Sequence, residues 1–178
     1  MTTALNVARY LIRLAGTDPE GEGLTAMRLQ KLLYYCQGWH LAWYGCPLFT
    51  DRLEAWEHGP VVPHVYGVFK SCGNGPLVDT GEEDGLRSEE RAAIKQVWDY
   101  YRRYSAAGLR GMTHDEAPWR SHYDPGHQGR SNLEIPVNEL ATYFGDEYQR
   151  KTGDRPGSWS EPPEVGIPLE QLRQELGC

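Results

Sequence analysis

Apolar residues return at helical spacing over much of the chain. Leu5, Ala8, Leu11, Ile12 and Ala15 share one face, which predicts an amphipathic helix from Thr3 as its cap to about Ala15. The polar run TDPEGEG breaks it. Thr25 is the next capping residue, and the helix it opens should end near Gly45, with Pro47 just beyond. Within this second helix Leu29, Leu32, Leu33, Cys36, Trp39, His40 and Trp43 fall in an arc of about 120°. The other side offers Lys31 and Gly38, flanked by Tyr34, Leu41 and Ala42, so the charged face of a surface helix is missing and a central position is expected. Gly38 costs about 1 kcal/mol of helix propensity, which predicts a second backbone close by.

Further along, Leu53, Ala55 and the ring of Trp56 alternate as a short strand near residues 52–57, ahead of a turn at Gly59 and Pro60. Pro63 suits the first turn of a helix reaching Lys70. SCGNGPLVDTGEEDG is Gly-rich and acidic and reads as an exposed loop. Ser88, with Glu89 and Glu90 in the first turn, starts a helix to about Tyr104 that buries Ala93, Ile94, Val97, Trp98 and Tyr101. Ser105 can cap a short helix, and Thr113 precedes Glu116 at the spacing of a capping box, in a turn limited by Pro118. Residues 121–132 read as a loop, and IPVNELATYFGDEYQR as a helix with Leu140, Tyr143 and Phe144 inward.

RPGSWSEPPEVG has the composition of a linker. Beyond it IPLEQLRQEL echoes IPVNELATYF, but one echo falls short of a repeat architecture. The expected fold is mainly α: a single compact helical domain over residues 1–150, a short β element near 52–57, and a linker with a short helical tail over 151–178.

Composition narrows the function. The length of 178 residues suits one core of ordinary size. A formal charge of -7 disfavours a nucleic-acid binder, whose affinity rests on neutralising phosphates. The acidity is concentrated in residues 71–90 and 152–178, leaving the rest nearly neutral. No run approaches the about 20 apolar residues of a membrane span, and the N-terminus lacks the layout of a secretory signal, so a cytoplasmic protein is expected. Cys36, Cys46, Cys72 and Cys178 form no CxxC pair, which predicts free thiols and no structural zinc.

Candidate chemistry is sparse. His58 and His64 are separated by GPVVP, whose prolines prevent a shared helical face, and His122 and His127 fall in a loop with Asp124; no metal or other cofactor is predicted. His40, among apolar neighbours, reads as a core histidine that needs a hydrogen-bond partner for each buried nitrogen. His114, Asp115 and Glu116 supply acid–base groups, yet adjacent side chains on one turn diverge. G-x-S-x-G elbows and phosphate-binding glycine loops are absent, leaving no catalytic residue assigned.

Three blocks, LQKLLYYCQGWHLAWYGCPLF, DRLEAWEHGPVVPHVYGVFK and LRGMTHDEAPW, closely resemble the Panacea domain of SocA-like antitoxins, also called GepA or phage-associated proteins. The resemblance runs from about residue 4 to 145. It implies a mostly helical antitoxin of a two-gene toxin–antitoxin module, a scaffold that neutralises its cognate protein toxin by direct contact. The family's recurring positions correspond to Gln30, Lys31, Tyr34, Tyr35, Gln37, Trp39 and His40, then to Trp56, Gly59, Pro60 and Tyr66, then to Thr113, His114, Glu116 and Trp119. These would be structural or toxin-binding. An acidic binder can also steer onto a basic toxin. Tyr34, Tyr35, Trp119 and Trp159 are the expected contact rings wherever they lie exposed. The alternative is an enzyme or small-ligand binder in which His40, His58, His114 and Glu116 converge on one pocket. No nucleic acid or membrane partner is expected, and oligomeric state is left open.

Overall fold

The computed structural model describes residues 2–18, 23–78, 85–126, 133–153 and 155–157. The expected helical tail, its echo, Trp159, His127 and the acidic cluster at 79–84 lie outside the described residues.

The chain is mainly α. Helix α1 (Ala4–Gly16) starts where the Thr3 hydroxyl accepts from the Asn6 amide. Helix α2 (Ala26–Tyr44) is capped by Thr25 and stopped by Gly45, whose φ of 68° turns the chain out of the helix. A hairpin follows: β1 (Leu53–Trp56) pairs antiparallel with β2 (Gly59–Val61), Trp56 opposite Gly59. The predicted turn at Gly59 and Pro60 is therefore part of a strand, and Glu57 and His58 make the turn. Proline tolerates this because β2 is the edge of the sheet. Helix α3 (Pro63–Phe69) begins on Pro63 as expected.

Helix α4 (Ser88–Tyr101) starts on Ser88 with Glu89 and Glu90 in its first turn, as expected, but ends before Tyr104. Ser88 lies inside it, and Arg87 takes the cap position: its backbone N–H donates to Glu90 at 2.9 Å, and its guanidinium pairs with the same carboxylate. The helix stops before Tyr104 because Ser105 is already extended to cap α5 (Ala106–Asp115). A single turn, α6 (Ala117–Arg120), comes next. Strand β3 (Glu134–Ile135), which was not anticipated, adds to β1 ahead of α7 (Val137–Thr152). Two residues are too few to show an alternation.

Helix α2 is the axle of the fold. Every residue from Leu29 to Trp43 is buried, because α1, α4, α5 and α7 and the hairpin surround it. Gly38 does mark a close approach, but to a side chain: a Cβ there would lie 2.2 Å from the Phe144 ring of α7. The supposed exposed loop after α3 is also partly interior, since Leu77 is buried and its amide donates to Leu24 at 2.8 Å. After α7 the chain turns back, and the Gly157 N–H donates to Ala42 O at 2.7 Å.

Candidate functional site

The polar residues of α2 lie in the interior and each meets a specific partner. Gln37 holds the segment after the helix: its Oε1 accepts from the Leu48 and Phe49 amides, at 3.0 and 3.2 Å, and its Nε2 donates to Phe49 O at 2.9 Å. Trp39 donates to the Tyr101 hydroxyl at 3.0 Å. His40 Nδ1 lies 2.8 Å from Cys46 O, which makes it the protonated nitrogen. Burial lowers the His40 pKa, so the ring is a neutral strut.

On one side of α2, Tyr35 donates to Glu116 Oε1 at 3.0 Å and stacks on Tyr101 with ring centroids 4.0 Å apart. Glu116 Oε2 is buried without a partner. Burial pushes the Glu116 carboxyl up to about 7, against the opposing effect of the tyrosine hydroxyls. Tyr34 fills the adjacent space edge-on to Tyr35 and Phe144. A cleft of about 410 Å³ opens here, lined by Trp39, Tyr101, Glu116, Tyr143, Phe144, Glu147 and Lys151 among others.

On another side, Lys31 is 1% exposed and donates to Pro60 O at 3.0 Å. Burial, with Arg110 nearby, holds its pKa down to about 7. Gly59 makes room for it: at φ 97°, a Cβ on Gly59 would come within 2.7 Å of Lys31 Cε and 2.9 Å of Thr113 Oγ1. Gln30 Oε1 accepts from the Val62 amide at 2.8 Å, while its Nε2 is buried without a partner. Trp56 donates to Glu54 at 2.7 Å and meets Tyr66 edge to face. A second cleft, of about 420 Å³, is bounded by Met27, Gln30, Lys31, Trp56, His58, Val61, Tyr66 and Lys70 among others.

The third block completes this arrangement. Trp119 donates to Trp56 O at 2.8 Å and is sandwiched between the rings of His114 and Tyr123. Burial, then Arg110, Lys31 and His58, lower the His114 pKa. Thr113 and Glu116 form no capping box: Thr113 is inside α5 and donates to Arg110 O, and Glu116 links α5 to α6 with its carboxyl turned to Tyr35.

The candidate contact rings and the residues of the alternative pocket can now be placed. Tyr34, Tyr35 and Trp119 are buried and offer no exposed ring, since α7 and the hairpin cover them. Of the four residues of the alternative pocket, His58 borders the second cleft and Glu116 the first, His114 lies near enough to His58 and Lys31 for both to lower its pKa, and His40 turns to Cys46 O. Met27, Lys70 and Arg110 were not singled out, because what places them is their partners on other elements.

The family model described as antitoxin SocA-like, Panacea domain, matches residues 29–120, more than half of the chain. The chain belongs to that family. The match begins inside α2 and ends with α6, so it takes in Gln30, Lys31, the hairpin and Glu116, while Met27 on the second cleft precedes it. Among curated proteins this Panacea protein is similar to Antitoxin SocA of Caulobacter vibrioides (strain NA1000 / CB15N), at 45% identity over 53 residues. That stretch is 30% of this chain and 27% of the relative, so the Panacea protein aligns with about a quarter of the SocA sequence. No solved structure matches it. Among the described residues no helix is long and apolar enough to cross a membrane.

Proposed function

We propose that the protein is an antitoxin that neutralises a cognate protein toxin by binding it directly, with residues 1–150 as the working domain. Membership of the SocA-like family carries this reading. The geometry is compatible with a division of labour. Gln37, Trp39, His40, Tyr34 and Tyr35 stiffen the scaffold from inside, as their hydrogen bonds and ring contacts indicate. The toxin meets the rim of the cleft bordered by Met27, Trp56, His58, Tyr66 and Lys70, where half-buried rings adjoin exposed charge. Such a mixture suits the anchor and rim of a protein interface.

The test is co-expression with the neighbouring gene. The expected result is that the neighbour is toxic alone, is tolerated with this protein, and co-purifies with it in fixed stoichiometry. A neighbour that stays lethal despite good co-expression of both chains overturns the reading.

A further inference from the structure

We propose that the cleft between the first turns of α2, the hairpin and α3 binds an organic carboxylate, held by the side-chain amide of Gln30 and the ammonium of Lys31. This goes beyond the antitoxin reading and does not depend on it.

The Gln30 amide is fixed in one orientation. Its Oε1 accepts the Val62 N–H at 2.8 Å, so a flip would set donor against donor. Nε2 therefore presents its hydrogens on the other side, where it is buried without a partner on a residue that is 2% exposed and borders the cleft. An unmet buried donor is costly, and a ligand acceptor relieves that cost. Lys31, next in sequence, uses one of its three donors on Pro60 O. Among the described residues no acidic side chain pairs with it, and its charged neighbour is Arg110. A buried amine without a counter-ion gains most from a ligand that brings one negative charge.

Although adjacent on α2, the two side chains are drawn to one backbone edge, Gln30 to the Val62 N–H and Lys31 to Pro60 O two residues away, so one carboxylate could accept from both and leave its carbon chain for the walls formed by Met27, Val61 and Trp56. The cleft, at about 420 Å³, is within the usual range of small-ligand sites. Glu57 at the rim disfavours a dianion such as phosphate. The same chemistry has two sources, a free small acid or the C-terminus of a protein chain.

The full 178-residue chain is titrated by calorimetry and by amide NMR with N-acetyl-leucine and, as neutral control, N-acetyl-leucinamide. Acetyl-Gly-Gly-Gly-Leu as free acid and as amide forms the second pair. The expected result is that each acid binds at least about tenfold more tightly than its amide. Shifts should centre on the Gln30 side-chain amide and the Trp56 indole. Gln30→Glu keeps the acceptor for Val62 but removes the donors, and it should abolish the preference; Lys31→Met should do the same. A peptide acid about tenfold tighter than the small acid identifies a chain terminus as the source, and equal affinity identifies a free acid. Acids and amides binding alike, no binding at millimolar concentration, or an unchanged preference in a folded Gln30→Glu chain each overturn the proposal. If both variants fail to fold, the acid–amide comparison on the native chain decides alone.

Discussion

Tyr35 in the middle of α2 donates to Glu116 across 3.0 Å, tying the central helix to the junction of α5 and α6. The bond supplies a donor to a buried carboxyl whose second oxygen has none. Tyr35→Phe should destabilise the fold by about 1–3 kcal/mol, the cost of an unmet buried polar group. The stacking on Tyr101 is retained, so near-ultraviolet circular dichroism should change little. Urea denaturation at pH 8 should show the larger loss, because a neutral carboxyl at pH 5 suffers less from the missing donor. A variant as stable as the native chain at both values would mean the bond contributes nothing net.

Lys31 and Glu116 give stability an opposed dependence on pH. Glu116 rises from 4.5 to about 7 on folding, so its contribution is complete below pH 4.5 and is lost as pH climbs through about 7. Lys31 falls from 10.5 to about 7, so the unfolded chain binds more protons between those values and stability rises with pH there. The two together predict a stability minimum near neutrality. Glu116→Gln should remove the acid-side decline and Lys31→Met the alkaline-side rise, each measured by urea midpoints from pH 5 to pH 10. If the Glu116→Gln profile keeps the native slope below pH 7, the carboxyl is not the group responsible.

The helices were legible where periodicity and caps agreed: Thr3, Thr25 and Ser105 each take the cap position that their type predicts. The centrality of α2 was legible as well, from its want of a charged face. What could not be read was any partner drawn from another element. Thr113 and Glu116 fit a local capping pattern, yet the burial of both favoured Arg110 O and Tyr35 over the box. Gly59 and Pro60 look like a turn locally, but Lys31 beneath them draws on the Pro60 carbonyl and they stay in a strand. Strand β3 exists only because β1 lies beside it. The clefts are likewise made by the docking of elements, so their lining residues share no spacing in sequence.

Gly38 is required by Phe144. A Cβ on Gly38 would sit 2.2 to 2.5 Å from three atoms of that ring, which is wedged against Tyr34, Tyr35, Trp39 and Tyr143 and has little room to yield. Gly38→Ala gains about 1 kcal/mol of helix propensity but overpacks the core, so a net loss of about 1–3 kcal/mol is expected. Phe144→Leu frees the space, and the double variant should be more stable than the sum of the single losses predicts. Strict additivity in chemical denaturation would refute the contact.

Gln37 carries the backbone of Leu48 and Phe49 on one amide. Gln37→Met keeps the volume and leaves three buried backbone groups unmet, which at about 1–3 kcal/mol each would exceed most of the stability of a domain this size. Gln37→Glu keeps the acceptor and loses only the donor to Phe49 O, so it should be the milder change. Hydrogen exchange at the Leu48 and Phe49 amides separates the two, with protection lost in the first and largely kept in the second. Equal protection in both would show that another group holds the segment.

Met27 offers a way to part recognition from folding. It is 38% exposed, borders the cleft assigned to the toxin, and follows the start of α2 closely enough to be solvated on one side. A charge there removes apolar contact area from the interface, while Gln30 and Lys31 keep their partners on the hairpin side, the Val62 amide and Pro60 O. Met27→Glu should therefore change stability by no more than about 0.5 kcal/mol, as surface substitutions do. It should still abolish protection against the toxin and weaken co-purification by at least about tenfold. Loss of both stability and protection would point to misfolding, whereas full protection by a stable Met27→Glu chain would move the docking face away from this cleft while leaving the antitoxin role intact.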